Sequence, residues 1–213
     1  RLKAGGNLDN TGGDIIGGQR IDVAARNIDN LDGRIVSTGH GDSVVKAAGT
    51  IDNGGSIGAR GALTVDTRVL ENRAGADIAA HGALDLGVSE RLVNHGAISS
   101  GGVMTYDEGG ALLENRGTIT AGGDMRMRVD TIDNQGGAIL TLDGADMALA
   151  ANTLDNRGGR VMAGDAARFD IAGEMNNDGG LVQAGDALRA RVGGKLSNAA
   201  GTIEVLGEHG TLA

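Results

Sequence analysis

The sequence predicts an all-β fold, in which short strands wind into a parallel β-helix of about ten coils. Ten asparagines recur along the 213 residues at intervals of 19 to 23 residues, which is the signature of one short unit copied along an axis. Forty glycines argue against helices, since each one in a helix interior costs about 1 kcal/mol relative to alanine. Only two aromatic residues are present, so the interior must be a narrow column of aliphatic side chains. Residues 1–213 are therefore expected to form a single β-helical repeat segment.

The first strand of each copy is predicted from the residue two positions before the asparagine, which is apolar in every copy. Because side chains alternate along a strand, this residue and the asparagine share the inner face, and the residue between them points outward. The ten apolar residues are Leu8, Ile28, Ile51, Leu70, Leu92, Leu113, Ile132, Leu154, Met175 and Leu196.

The second strand begins after a glycine-containing turn, at a β-branched residue four to six positions past the asparagine. These residues are Ile15, Ile35, Ile57, Ile78, Ile98, Ile119, Ile139, Val161, Val182 and Ile203. A second turn of small residues follows, and then a third strand that alternates inward and outward, as in Leu63-Thr64-Val65 and Met125-Arg126-Met127. Each copy is thus predicted to contain three short strands separated by Gly, Asn and Asp turns.

Successive coils are expected to pair strand on strand at about 4.8 Å per rung, so that ten rungs make a rod of roughly 48 Å. Leucine-rich repeats have a similar period, but they require extra leucines and a helical return segment that the glycine density does not permit. The nonapeptide repeat of calcium-binding β-rolls is absent.

The recurring asparagines are interpreted as a structural ladder, because stacked amides hydrogen-bond to the copies above and below. A polar binding site along this column is the alternative interpretation. The ladder residues are Asn10, Asn30, Asn53, Asn72, Asn94, Asn115, Asn134, Asn156, Asn177 and Asn198.

An acidic column is predicted at the outward position just before the asparagine, interrupted at Val93. A solvated stripe, partly offset by Arg73, Arg116 and Arg157, is favoured over a row of calcium sites, because one column cannot supply six to eight converging oxygens. Its members are Asp9, Asp29, Asp52, Glu71, Glu114, Asp133 and Asp155.

Composition excludes several classes of function. The net charge of −9 and the lack of a Lys/Arg run argue against nucleic acid and anionic membranes as partners. No stretch approaches the roughly 18 apolar residues of a membrane-spanning segment, and no cysteine is present for disulfides. Four histidines share no ligand spacing, so neither a metal nor another cofactor is expected: His40, His81, His95 and His209. No catalytic motif appears, and the chain is not expected to be an enzyme.

Two departures from the repeat stand out. The second copy is long around Thr38 to Ala48, and Asp107-Glu108-Gly109-Gly110 is expected to interrupt the third strand between Tyr106 and Ala111. Insertions in solenoids map to loops, and such loops often carry a binding face, although a packing adjustment is the favoured interpretation here. Tyr106 and Phe169 align with core leucines rather than with sugar-stacking positions.

The repeat unit resembles that of filamentous haemagglutinins and of the related stalks of contact-dependent growth-inhibition proteins. The clearest copies run from Leu113-Glu114-Asn115 to Met127 and from Leu154-Asp155-Asn156 to Asp165, and the resemblance spans essentially the whole chain. It implies a right-handed β-helix, a hand that the rule for parallel crossovers also favours. The family's amino-terminal secretion domain carries an Asn-Pro-Asn-Gly motif, and this chain has no proline. The chain is therefore expected to be a fragment of a much larger protein.

The resemblance further implies a bacterial exoprotein of two-partner secretion, displayed at the cell surface as a virulence adhesin that attaches to host cells. Its expected partners are neighbouring repeats of the same chain, an outer-membrane transporter barrel during secretion, and a host-cell receptor or glycan. Two alternatives stay open: the stalk of a growth-inhibition effector and, from another class, a glycan-binding or glycan-cleaving β-helix.

Overall fold

Runs of alternating side chains bounded by small turns form all the regular structure of this protein. The computed structural model describes residues 1–207 and 210–213, and these residues contain strands and turns but no helix. The strands, in chain order, are β1 (Leu2–Lys3), β2 (Leu8–Asp9), β3 (Asp14–Gly17), β4 (Asp22–Ala25), β5 (Ile28–Asn30), β6 (Arg34–Ser37), β7 (Ser43–Ala47), β8 (Thr50–Asn53), β9 (Ser56–Ala59), β10 (Leu63–Asn72), β11 (Asp77–Ala80), β12 (Leu84–Asn94), β13 (Ala97–Ser100), β14 (Met104–Asn115), β15 (Thr118–Ala121), β16 (Met125–Asp133), β17 (Ala138–Thr141), β18 (Met147–Ala151), β19 (Thr153–Asp155), β20 (Arg160–Ala163), β21 (Ala166–Ile171), β22 (Met175–Asn176), β23 (Leu181–Ala184), β24 (Ala187–Val192), β25 (Leu196–Ser197), β26 (Thr202–Val205) and β27 (Thr211–Leu212).

The strands stack in parallel into a solenoid of about ten turns, which confirms the predicted fold class. A ten-stranded sheet takes one strand from each coil, namely the predicted second strands, in the order β3, β6, β9, β11, β13, β15, β17, β20, β23, β26. The other strands form a seventeen-stranded sheet. Register keeps each residue class in its own column, as when Ile78 pairs with Ile57 on one side and Ile98 on the other. The right hand of the solenoid stays a prediction.

The core is the set of inward columns that runs between the two sheets. Tyr106 stands in register with Met127, which pairs with Leu149 and then Phe169. Both aromatic side chains are fully buried, so their predicted alignment with core leucines is confirmed. The Tyr106 hydroxyl donates to the Val88 carbonyl at 3.1 Å. Burial, and then the nearby charge of Glu108, raise the pKa of this hydroxyl.

The prediction of three separate strands per copy is wrong in four coils. There the third strand runs without a turn into the first strand of the next copy, giving the long strands β10, β12, β14 and β16 of 9 to 12 residues. In β10 and β16 the joining residues lack glycine, so nothing in the chain forces a turn.

The predicted interruption between Tyr106 and Ala111 is also wrong, because this segment lies inside the continuous strand β14. The extra residues form a bulge, since Glu108 pairs with Val129 while Leu112 pairs with Thr131. A smaller bulge precedes it, where Thr67 and Val69 pair with Val88 and Arg91. Bulges absorb insertions by local twist without breaking the stack. The long second copy does form a loop, at residues 38–42, before β7 begins.

The turn after each asparagine has a backbone shape set by its length. When the next inward residue lies five positions past the asparagine, the position two past the asparagine has positive φ, as at Gly158 (61°), Asp32 (53°) and Ala200 (53°). The next glycine then lies tightly against the coil below. A Cβ on Gly159 would lie 2.1 Å from the Asn134 carbonyl oxygen. These contacts explain why glycine recurs in the repeat.

Candidate functional site

The asparagine column runs along one corner of the solenoid as an unbroken chain of side-chain amides. In each of nine steps the Nδ2 of one asparagine donates to the Oδ1 of the asparagine in the following coil, at 2.7 to 2.8 Å. Every donation points the same way along the axis. We propose a structural role for this column, because its amides hydrogen-bond to one another rather than to a ligand.

The same amides also tie down the turns. Asn134 Nδ2 donates to Gly137 O at 3.3 Å in its own turn and to Arg160 O at 3.0 Å in the next. The asparagines from Asn10 to Asn177 are buried, whereas Asn198 is exposed. In the described residues, no buried side-chain polar atom lacks a hydrogen-bond partner.

The acidic column is half-buried along most of its length, and only Asp9 is classed as exposed. Four of its carboxylates cap the turn that follows, because their Oδ1 accepts from the backbone N–H two residues later: Asp9 from Thr11, Asp29 from Leu31, Asp133 from Gln135 and Asp155 from Arg157. All four precede turns in which the next inward residue lies five positions past the asparagine. The sequence signal for this capping role is an aspartate two positions before a backbone N–H in a turn. The prediction of a solvated stripe did not include it.

Arginines neutralise four members of the column. Arg116 binds Asp133 in the next coil through two parallel hydrogen bonds of 2.8 and 2.7 Å. Arg73 binds Asp52 in the preceding coil, and Arg157 binds Asp155 in its own. Arg91, which the sequence interpretation did not include, binds Glu114 at 2.8 Å. Val93 takes the outward place between Glu71 and Glu114 yet is only 8% exposed.

The carboxyl of Asp133 is largely enclosed, with its side chain 24% exposed. Burial alone would raise its pKa, but the Arg116 guanidinium and the Gln135 amide more than compensate and hold the pKa below the ordinary value of 3.8. The reciprocal effect raises the pKa of Arg116. The pair therefore stays charged throughout the neutral range.

The histidines are scattered. His40, His81 and His95 lie in bends of three different coils, while His209 lies outside the described residues. Residues 1–207 and 210–213 contain no group of three or more His, Cys, Asp or Glu side chains placed to hold a metal ion. The same residues contain no helix of the length and hydropathy required to span a bilayer.

A surface groove of about 610 Å³ lies elsewhere, on the outer face of β16, β18, β21 and β24. Arg126, Arg168 and Arg189 line it over a floor that includes Ala148. Sequence reasoning missed this cluster because it searched for basic residues adjacent in the chain. The signal that would find it is the strand register, which places residues about one repeat apart side by side.

Comparison with known proteins shows a similarity to one protein family. The family model described as "Haemagglutinin repeat" matches residues 1–55 and 22–105, two overlapping ranges that together cover about the first half of the chain. Residues 1–105 are thus similar to haemagglutinin repeats. The searches of curated proteins and of solved structures returned no match.

The same coil pattern continues beyond the matched range. Leu92 and Asn94 stand in register with Leu113 and Asn115, and the asparagine ladder then extends to Asn198 without a break. Residues 1–213 thus fit a filamentous haemagglutinin-type repeat region, as the repeat unit predicted. This repeat belongs to structural adhesins rather than to an enzyme family.

Proposed function

We propose that this chain is a rod segment of a secreted bacterial haemagglutinin-like adhesin, which holds recognition regions away from the cell surface during attachment to host cells. The observation that carries the proposal is the match to haemagglutinin repeats on a solenoid whose coils stack without interruption. Haemagglutinin repeats are typical of secreted surface adhesins. A transporter barrel in the outer membrane and a host receptor or glycan are the partners of this proposal.

The way the coils are built supports a mechanical role. Each coil contributes about 4.8 Å of length and buries its inner face on its neighbours, so adding coils extends the rod without changing its cross-section. Side-chain amides and ion pairs join one coil to the next along two separate columns. In both columns most of the polar groups make contacts within the protein, which suits a shaft.

Surface display tests the first half of the proposal. Fab fragments raised against the purified chain should label intact bacteria that encode it, and should lower their attachment to host cells. Labelling that appears only after the cells are permeabilised would overturn the proposal. Attachment to other bacteria but not to host cells would instead favour the stalk of a growth-inhibition effector.

A change of rod length tests the second half of the proposal, that the rod holds recognition regions away from the cell surface. Deleting residues 54–134 joins Asn53 to Gln135, removes four coils in register and shortens the rod by roughly 19 Å. Bacteria that display the shortened protein should attach less well, with surface labelling unchanged. The matched control replaces the deleted coils by a second copy of residues 116–198, which restores four coils and should restore attachment. Equal attachment by all three forms would contradict a role in reach.

A further inference from the structure

The groove on β16, β18, β21 and β24 carries a column of arginines that the proposed function leaves unexplained. Arg126 is in register with Ala148, which pairs with Arg168, and Arg168 pairs with Arg189. At about 4.8 Å per rung, Arg168 and Arg189 are one rung apart, and Arg126 lies about 9.6 Å from Arg168. All three arginines are exposed, and alanine occupies the gap between them.

The guanidinium groups of this column differ from the paired arginines elsewhere on the surface. Within the described residues, Arg126, Arg168 and Arg189 have no carboxylate within 4.0 Å, whereas Arg73, Arg91, Arg116 and Arg128 are all paired. Stacked like charges on adjacent rungs repel one another, and a bound anion relieves that repulsion. A guanidinium also presents a planar fork that matches a carboxylate through two hydrogen bonds.

A row of acids borders the arginine column on one side. Asp124 Oδ1 accepts from Asp146 N at 3.0 Å, and Asp146 Oδ1 accepts from Ala166 N at 3.1 Å. Both residues are exposed, and the second oxygen of each carboxylate has no hydrogen-bond partner among the described residues. On the other side, Asp170 and the Arg128–Asp107 pair line a second groove of about 310 Å³ that shares Arg126 and Arg168. The face therefore offers cationic donors in the middle, anionic acceptors along the Asp124 and Asp146 edge, and charges of both signs along the other edge.

We propose that this groove binds an acidic oligosaccharide that carries carboxylates, with its chain lying along the solenoid axis. Its carboxylates meet the arginines of the middle column, and its hydroxyls donate to the free oxygens of Asp124 and Asp146. The small apolar side chain of Ala148 on the floor lets sugar rings approach the sheet closely. The inference stands independently of the proposed function, because it rests only on this face.

Spacing and charge disfavour other occupants. In an extended acidic peptide, side chains on one face recur every ~6.7 Å, which falls out of step with rungs of ~4.8 Å. A single-stranded nucleic acid requires aromatic platforms, and the two aromatic side chains are buried in the core. A densely sulfated chain would bring excess negative charge against Asp124, Asp146 and Asp170.

Isothermal titration of the purified chain with tetragalacturonate at low ionic strength tests the proposal. We expect saturable binding, and we expect the double substitution Arg168→Gln with Arg189→Gln to weaken it at least about tenfold. The double substitution Arg20→Gln with Arg26→Gln is the matched control: it removes the same charge from exposed arginines outside the groove and should change affinity less than about twofold.

Two further arms sharpen the result. Ala148→Glu places a resident carboxylate between Arg126 and Arg168 and should abolish binding, with an unchanged circular dichroism spectrum. A neutral tetrasaccharide should not bind, and a heparin-derived tetrasaccharide should bind no more tightly than tetragalacturonate. No binding by the wild type, equal losses in both double variants, or clearly tighter binding of the sulfated ligand would each overturn the proposal.

Discussion

At the scale of single residues, the buried amides of the asparagine column have the largest expected effect on stability. Each one satisfies a neighbouring amide and one or two turn carbonyls at once, as Asn134 does for Asn156, Gly137 and Arg160. Losing such a group leaves buried acceptors unpaired, which costs more than the net value of one hydrogen bond. The recurrence of asparagine was readable from the sequence, whereas these contacts to the turns were not.

Asn134→Ala should therefore lower the free energy of unfolding by about 2 to 4 kcal/mol. Thermal unfolding followed by circular dichroism measures the change. Asn152→Ala is the control, because Asn152 is exposed and lies outside the ladder, and it should change stability by less than about 0.5 kcal/mol. Equal melting temperatures for the Asn134 variant and the wild type would refute the structural role of the column.

Stability should also depend on pH through Asp133. Its folded pKa lies below the ordinary value of 3.8, so its stabilising contribution is present above that value and is lost as pH falls through the folded pKa. The melting temperature should accordingly drop as pH falls below about 4. Asp133→Asn should flatten that drop and lower the melting temperature at pH 7. An acid dependence identical to that of the wild type would contradict this assignment.

At the scale of elements, turn length and strand continuity decide the local shape. The alternation of inward and outward residues predicted where strands run, because each column keeps one chemical class. It did not predict where β10 or β14 would run on through a bulge, since that outcome depends on pairing with the coil above and below. Nor did it predict the arginine groove, whose members Arg126, Arg168 and Arg189 become neighbours only through register.

The two glycines of one turn should respond differently to substitution. Gly158 has φ of +61° with open space around its Cβ position, so Gly158→Ala should cost only the left-handed strain of about 1 to 2 kcal/mol. Gly159→Ala would place a Cβ 2.1 Å from the Asn134 carbonyl oxygen and should cost about 3 kcal/mol or more. Urea unfolding of both variants measures the order, and a larger loss for Gly158→Ala would be inconsistent with this turn geometry.

At the scale of the whole molecule, the solenoid behaves as a row of neighbouring units rather than one closed core. Contacts reach from each coil to the next, so stability is approximately a sum of coil terms and interface terms. This architecture could be predicted from the sequence because the same pattern of apolar residues, asparagine and glycine recurs in ten copies.

The substitution Ile119→Ala should show that destabilisation of one coil affects mainly the coils next to it. It removes a buried side chain from β15 and should cost about 2 to 5 kcal/mol. In hydrogen exchange, protection should fall most in β13, β15 and β17, and least in strands several coils away such as β3. Uniform loss of protection from β3 to β23 would show instead that the rod unfolds as one cooperative unit.

The direction of the asparagine ladder has a consequence for how rods can join. Because Nδ2 donates toward the following coil in all nine steps, the side-chain dipoles align head to tail and add along the axis, with the positive end toward the last coil. A chain of this kind polarises its own members, so each bond strengthens the next. Two such stacks can extend one another only with the same polarity, since opposed stacks would bring donor against donor or acceptor against acceptor. The asparagine ladder thus makes the rod polar, with two chemically different ends.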